Sequence, residues 1–470
     1  MTSEGIIIFN MKARTVIIVL AFIILCIGAL VLIAWVSKPE LVNIYPGDGA
    51  IDISTISNIR LSFSRPMDLV SIEQRLMIDP AVQGTYTWEG NILTFTPQKP
   101  WPGSKEIRVN LKAGGRATGW LTFPMEAQSW SFITGVATLA YLWPSDGASD
   151  IYALNPDQGE IRQYTYGMDV LDYTVTGDGI TIYFSANNSQ DGADIFQINR
   201  IEAEQLPQGI YEPQKLLSCG VSQCRNIAVS SDGQYLAYEY LVPNVSVGLS
   251  PAQIRILRIN DLSVTPISLV NHEAVQPSWS SKGQLAFYDR TISGYEVVDP
   301  QGSQDAQILN QTGQPGAWSS DGDYYLVPEI TYSKSPGNYE TGISHLMQYK
   351  IPDTSSVDLS GNLAVEDVGA IYSPTGITIA FTRKFLDAAD WTPGRQIWLM
   401  NADGSDAHPI TNEANYNHYD LAWNKDGSML AYVRFNQAKL SDLPELWVAN
   451  ADGSNPIQLV IGGYSPIWMP

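Results

Sequence analysis

The sequence predicts an all-β protein: a two-sheet sandwich followed by a β-propeller, both behind one apolar helix. Three observations predict it. Charged residues make up only 16% of the chain while Gly (38) and Pro (28) are frequent, which suits short strands and tight turns better than exposed helices. Between Leu41 and Thr134 apolar and polar residues alternate with period two, the mark of strands with one buried face. Beyond that, the phrase "WNKDGSMLAYVRF" from Trp423 has five upstream counterparts, and a β-patterned repeat of 40 to 50 residues is the size of a four-stranded propeller blade. A chain of 470 residues has room for more than one domain.

The first element is the apolar run Thr15 to Val36, which holds no charge and as a helix would cross roughly 30 Å of hydrocarbon. Lys12 and Arg14 precede it, so the positive-inside rule leaves residues 1–14 as a cytoplasmic tail and everything after the run outside. A cleaved signal peptide is the competing reading. Its apolar region would be shorter and would end on small residues, so residues 15–36 are expected to stay as an anchor in the cell membrane. Leu25 stands before Cys26 where a lipoprotein signal needs a small residue, so no lipid is expected there. The net charge of −21 argues against nucleic acid, whose affinity comes from Lys and Arg on phosphates.

Residues 37–135 read as the sandwich. The alternation is clearest in "NIRLSF", "ILTF", "IRVNL" and "SWSF", and "TYTWEGNILTF" reads as a hairpin turning at Gly90-Asn91, where positive φ is cheap. In "SRPMD" Pro66 breaks pairing and Met67 turns into the core. The stretches "YPGDGAIDIS", "LSFSRPMD", "IDPAVQGTYTWEGNILTFTP" and "WSFIT", in this order, resemble the SbsA-type bacterial Ig-like domain. That resemblance implies a spacer or adhesive module of a cell-surface protein.

Residues 136–470 read as the propeller. The residue before each repeated glycine falls at Asp178, Asp232, Lys282, Asp321, Thr375 and Asp426, at spacings of 54, 50, 39, 54 and 51. Each copy supplies a strand ending near Trp or Tyr, a tight turn, an apolar strand, a loop, a third strand such as "ELWVAN", a second turn such as "NADGSN" and a short outer strand. These pieces resemble the TolB-like, WD-repeat-like propeller family, with "TGDG" and "SSKG" as degenerate copies. Six repeats allow six blades. The final "YSPIWMP" lacks a blade of its own, and the segment after the sandwich lacks a first strand. Joining the two through a closing strand at 465–470 gives seven blades and removes exposed edges.

Function is expected where the repeat is broken. The second-to-third-strand loops are long and irregular, and loops on a rigid face are where binding resides. They carry Tyr332, Tyr339, Phe385, Trp391 and Phe435 as candidate binding-face aromatics, which could equally pack the loops down. Cys219 and Cys224 could close a disulfide loop in an oxidising compartment or, failing that, ligate zinc. "NADGSD" lacks the full ladder of a calcium loop, and no metal or other cofactor is expected. No nucleophile elbow, metalloprotease motif or phosphate loop is present, and His272, His345, His408 and His418 are scattered. The expected function is therefore a non-catalytic, membrane-anchored envelope protein. Its extracytoplasmic propeller binds a protein or surface glycan, held off the membrane by the Ig-like spacer. The alternative is an enzyme cleaving glycan or peptide at the channel mouth through a carboxylate pair.

Overall fold

The computed structural model describes all residues except 1–18, 31, 33, 34, 36, 37, 54, 56, 100, 104, 120–122, 136, 157, 158, 245–247, 302 and 335–339. The chain divides into two compact units, Met1–Val136 and Ala137–Pro470. Residues 19–30 are helical, but among the described residues no helix is long and apolar enough to cross a membrane. The expected tail, 1–14, and much of the expected anchor, 15–36, lie outside the described residues.

In the first unit two four-stranded sheets face each other. One runs Leu41–Tyr45, Ile59–Phe63, Ile92–Pro97, Gly84–Glu89, and the other Ala50–Ile53, Gln128–Thr134, Glu106–Leu111, Leu76–Asp79. Alternation delivers one face of each to a common core: Ile59, Leu61 and Leu93 meet Ile107, Val109 and Phe132, all fully buried. The hairpin turns at Gly90 with φ 61°, pairing Glu89 with Ile92. Met67 is buried, and Asp68 caps the short helix Leu69–Glu73 by accepting the Ser71 amide.

The second unit is a succession of four-stranded antiparallel meanders, here lettered in spatial order. Meander A combines Tyr464–Met469 with Thr138–Trp143, Asp150–Leu154 and Ile161–Gln163, and D holds Ala274–Trp279, Leu285–Asp289, Gly294–Val298 and Gln304–Leu309. B (Val170–Val175, Thr181–Asn187, Ala193–Asn199, Gln214–Leu217) touches C (Gln223–Val229, Tyr235–Leu241, Gln253–Arg258, Val264–Pro266) through one parallel bridge, Ala193 to Gln223. E (Ala317–Trp318, Tyr324–Lys334, Glu340–Lys350, Ser356–Asp358) touches F (Val365–Tyr372, Thr378–Phe385, Gln396–Asn401, His408–Pro409) likewise, at Ser344 and Glu366. G holds Tyr416–Trp423, Met429–Asn436, Glu445–Asn450 and Ile457–Ile461.

The cores lie between successive meanders. Ala140 and Ile151 of A pack with Ile182 and Phe184 of B, and the series closes where Val433 and Leu446 of G pack with Leu139 and Tyr141 of A. Strands buried on both faces need the nearly continuous apolar runs seen in "YLAYEYL" and "MLAYVRF". Two repeated devices set this packing. Each first turn is closed by its own side chains: Ser230 Oγ donates to Asp232 Oδ1 at 2.6 Å, the Gln234 amide donates to the same oxygen, and Gly233 takes φ 69°. The copies "TGDG" and "SSKG" form the same turn, with Thr176 bonded to Asp178 in one and the Ser280 hydroxyl accepting the Gln284 amide in the other. Three of the four tryptophans at the ends of first strands then staple their meander to the one before it, Trp423 being the exception. Trp279, Trp318 and Trp468 donate their indole N–H to the carbonyls of Ala228, Ser278 and Ala422 at 2.9, 3.2 and 3.0 Å.

Candidate functional site

At the end of the meanders that carries the long loops, the third strand opens on a polar side chain that ties down the connection to the next meander. Asp150 accepts the Thr165 hydroxyl and the Gly167 amide, both at 2.7 Å. Asp194, buried, accepts Lys215 Nζ at 2.7 Å and the Cys219 amide at 2.8 Å. These bonds hold Asp194 below the usual carboxylate range although burial alone pushes it up. Cys219 and Cys224 are joined in a disulfide, so neither sulfur is a zinc ligand. Within that loop Ser222 Oγ donates to the Tyr240 hydroxyl at 3.0 Å, and the Arg255 guanidinium lies 3.5 Å over the Tyr240 ring.

The five candidate aromatics separate. Tyr332 is 62% and Trp391 53% exposed, with Lys384 Nζ 5.0 Å from the Trp391 ring. Trp391 stands on the second-to-third-strand connection of meander F, and Tyr332 near the end of the second strand of the neighbouring meander E. Tyr332 belongs to a hairpin of two eleven-residue strands paired out to Lys334 and Glu340, longer than any other pair in the unit. Phe385 and Phe435 are half-buried and pack edge-on against Trp398 and Tyr419, each at 5.8 Å, which is the loop-packing role. Tyr339 lies outside the described residues.

Carboxylates near the first strands are engaged by the backbone. Those strands bulge, with positive φ at Asn226, Gln276, Asp420 and Ser465. Asp172 accepts the amides of Asn226 and Ile227 at 2.5 and 3.3 Å, and Glu239 that of Gln276 at 2.9 Å. Burial pushes Asp172 up to about 7 against the pull of its two amides. The "NADGS" carboxylates are likewise used locally: Asp403 and Asp452 each accept the amide and hydroxyl of a serine two residues on. Among the described residues no group of three or more His, Cys, Asp or Glu could hold a metal ion.

The histidines sit in separate places. His272 bonds Asp289 at 2.6 Å, His345 bonds Asp358 at 2.8 Å, and His408 bonds the Asp406 carbonyl at 2.7 Å. Fully buried His418 meets a cluster that spacing did not reveal. Its Nδ1 lies 2.8 Å from the Arg395 carbonyl and its Nε2 3.4 Å from Glu413. Arg434, stacked between Tyr416 and Trp447 at 4.1 and 3.9 Å, binds Glu413 at 2.6 Å and Glu445 at 2.8 Å. The only sequence signal is an arginine inside the otherwise apolar strand "MLAYVRFN".

The His418 ring beside it and the hydrogen-bonded Arg434 guanidinium draw Glu413 down to about 2. A carboxyl lowered below its unfolded value of about 4.3 stabilises the fold above that value and loses the contribution as pH falls towards 2. Replacing Glu413 by Gln is therefore expected to lower the urea midpoint at pH 6, with the gap to the parent narrowing by pH 3. A gap constant over that range would contradict the assignment. The effect is modest because the Glu413 side chain is 43% exposed.

Comparison with known proteins gives one family match: residues 36–134 match the bacterial Ig-like domain family. No curated protein matches the chain. Among solved structures it is similar to TolB from Acinetobacter baumannii at 9% identity and TM-score 0.43, covering 92% of this chain and 99% of that one. The β-propeller domain of the Trilobed protease from Pyrococcus furiosus is similar at 11% identity and TM-score 0.45, covering 62% and 84%. A puromycin-hydrolyzing peptidase of Mycobacterium tuberculosis is similar at 11% identity and TM-score 0.48, covering 88% of this chain and 57% of that one.

Proposed function

We propose that this chain is a single-pass envelope protein, its N-terminus in the cytoplasm. Residues 15–36 are its anchor, the Ig-like domain is its spacer, and meanders A to G are the seven blades of a propeller that binds an envelope protein or surface glycan. The protein is not an enzyme on this reading. The observation that supports it most is the exposure of two large aromatics, Tyr332 near the end of the long second strand of meander E and Trp391 on the second-to-third-strand connection of the neighbouring meander F. Such rings supply contact area at low entropic cost, to protein or to the apolar faces of sugars.

The test compares the parent chain with a Tyr332→Ala, Trp391→Ala variant, each immobilised and offered purified surface glycan and solubilised envelope proteins. Retention of one component by the parent and its loss by the variant, with unchanged thermal melting, is expected. Equal retention by both places the site elsewhere, and glycan or peptide shortened by the parent favours the enzymatic alternative.

A further inference from the structure

At the tight-turn end, opposite the long loops, a pocket of about 430 Å³ is lined by residues of E, F, G and A. Its aromatic wall is Trp318, Tyr372, Trp423 and Trp468, the residues at or next to the ends of the four first strands. The indoles of Trp318 and Trp468 are already spent on backbone carbonyls, so these rings offer a ligand apolar surface. Among the described residues the only charged group lining the pocket is Lys425.

Lys425 departs from the repeat. At the same place in the other first turns stand Gly177, Ser231, Ser281, Ser320 and Pro374. Three of those small residues, Ser281, Ser320 and Pro374, are covered by the glycine of the next turn. A Cβ on Gly322 would lie 2.9 Å from Ser281 Oγ, one on Gly376 2.3 Å from Ser320 Oγ, and one on Gly427 3.6 Å from Pro374. The turn of G alone has no following turn to cover it, because the first and second strands of A, Tyr464–Met469 and Thr138–Trp143, are not consecutive in the chain. A long side chain is therefore tolerated there. Among the described residues no hydrogen bond or ion pair holds the Lys425 ammonium, and Asp178 is the charge that acts on it.

We propose that this pocket binds a monovalent organic carboxylate with an aromatic or branched apolar body, the body against the aromatic wall and the carboxylate on Lys425. The volume lies within the range of small-molecule sites. One ammonium matches one carboxylate. Phosphate and polyanions call for several donors, and the net charge of −21 repels them. Aromatic walls also attract cations, but Lys425 opposes that occupant. Burial pulls Lys425 below its usual value, and a bound carboxylate would offset that cost of desolvation.

The test titrates the full chain with 4-phenylbutyrate and with 4-phenylbutylamine, following heat and tryptophan fluorescence, and repeats the titration with Lys425→Met and Lys425→Arg. Saturable binding of the acid is expected, with the amine and the methionine variant weaker by about tenfold or more, the usual worth of a hydrogen bond to a charged group. The arginine variant should retain most of the affinity. Should Lys425→Met not fold, Lys425→Ser, the residue of three other turns, takes its place. Binding of acid and amine alike, an unchanged affinity without the lysine, or no saturation by about 10 mM, where affinity is below that of any useful small-molecule site, overturns the proposal. The Tyr332→Ala, Trp391→Ala variant should bind the acid normally, which separates this site from the loop-end reading.

Discussion

A chain ending at Gly463 is expected to lose the cooperative unfolding of the Ala137–Pro470 unit while keeping that of the Ig-like domain. The missing strand, Tyr464–Met469, is the first strand of meander A and pairs with Thr138–Trp143. It buries Trp468 and Met469 almost completely, and the Trp468 indole reaches Ala422. The Tyr173 hydroxyl donates to the Ser465 carbonyl at 2.6 Å, and the Tyr464 and Ser149 hydroxyls lie 2.8 Å apart. Truncating one buried tryptophan to alanine costs about 3–5 kcal/mol, and whole domains are stable by about 5–15 kcal/mol. Losing the strand with all its contacts exceeds that margin, and Thr138–Trp143 becomes an open edge that invites aggregation. Calorimetry of parent and truncated chain decides it: two retained transitions at unchanged temperatures would mean that the ring does not depend on its closing strand.

The second large effect is expected at Asp367. Its carboxylate is fully buried and takes Arg383 Nε at 2.7 Å and Nη2 at 2.6 Å, a bidentate pair, and the Ser360 hydroxyl at 2.6 Å. Ser360 in turn accepts the Leu346 amide at 2.9 Å, so the pair links meander F to E. Arg383 lies about 5 Å over the rings of Phe381 and Trp398, in surroundings that offer no water to a lone guanidinium. Asp367→Ala is expected to cost about 3–5 kcal/mol, because it leaves a buried charge without its partner. Asp367→Leu combined with Arg383→Met should recover most of that loss, since an apolar pair removes the desolvation penalty along with the attraction. Urea unfolding of the three chains tests both statements. A single variant within about 0.5 kcal/mol of the parent, the usual range of surface substitutions, would show that Asp367 is not a buried anchor.

Much of the fold was legible because its instructions are local. Period two in "IRVNL" became a strand with Ile107, Val109 and Leu111 buried, and Gly90 turned a two-residue hairpin because φ 61° costs glycine little. The turn signals lie within five residues of one another, as in Ser230, Asp232 and Gly233, so they could be read without knowing what the turn packs against. The closing strand was read from the mismatch of two incomplete ends, and the observed Tyr464–Met469 differs from the expected 465–470 by one residue.

The sites were less legible because they are made between repeats. The indole staples join residues 40 to 51 positions apart, Trp318 with Ser278 and Trp279 with Ala228, and no pattern in one strand names the carbonyl it will meet. Phe385 and Phe435 looked like Tyr332 and Trp391 in sequence, all being aromatic residues in or beside long loops. Which of them pack down was decided by Trp398 and Tyr419 on neighbouring strands. Arg434 took its meaning from Glu413, Glu445 and two rings brought around it from three other elements.

By itself, then, the sequence determined the all-β class, the sandwich, the repeated meanders and the turns that join their strands, since strand period and turn chemistry act within a few residues. The tertiary structure alone decided which side chains stay in solvent, which charges are paired and where a pocket is left. Those depend on desolvation and packing between residues that become neighbours only when one meander is laid against the next.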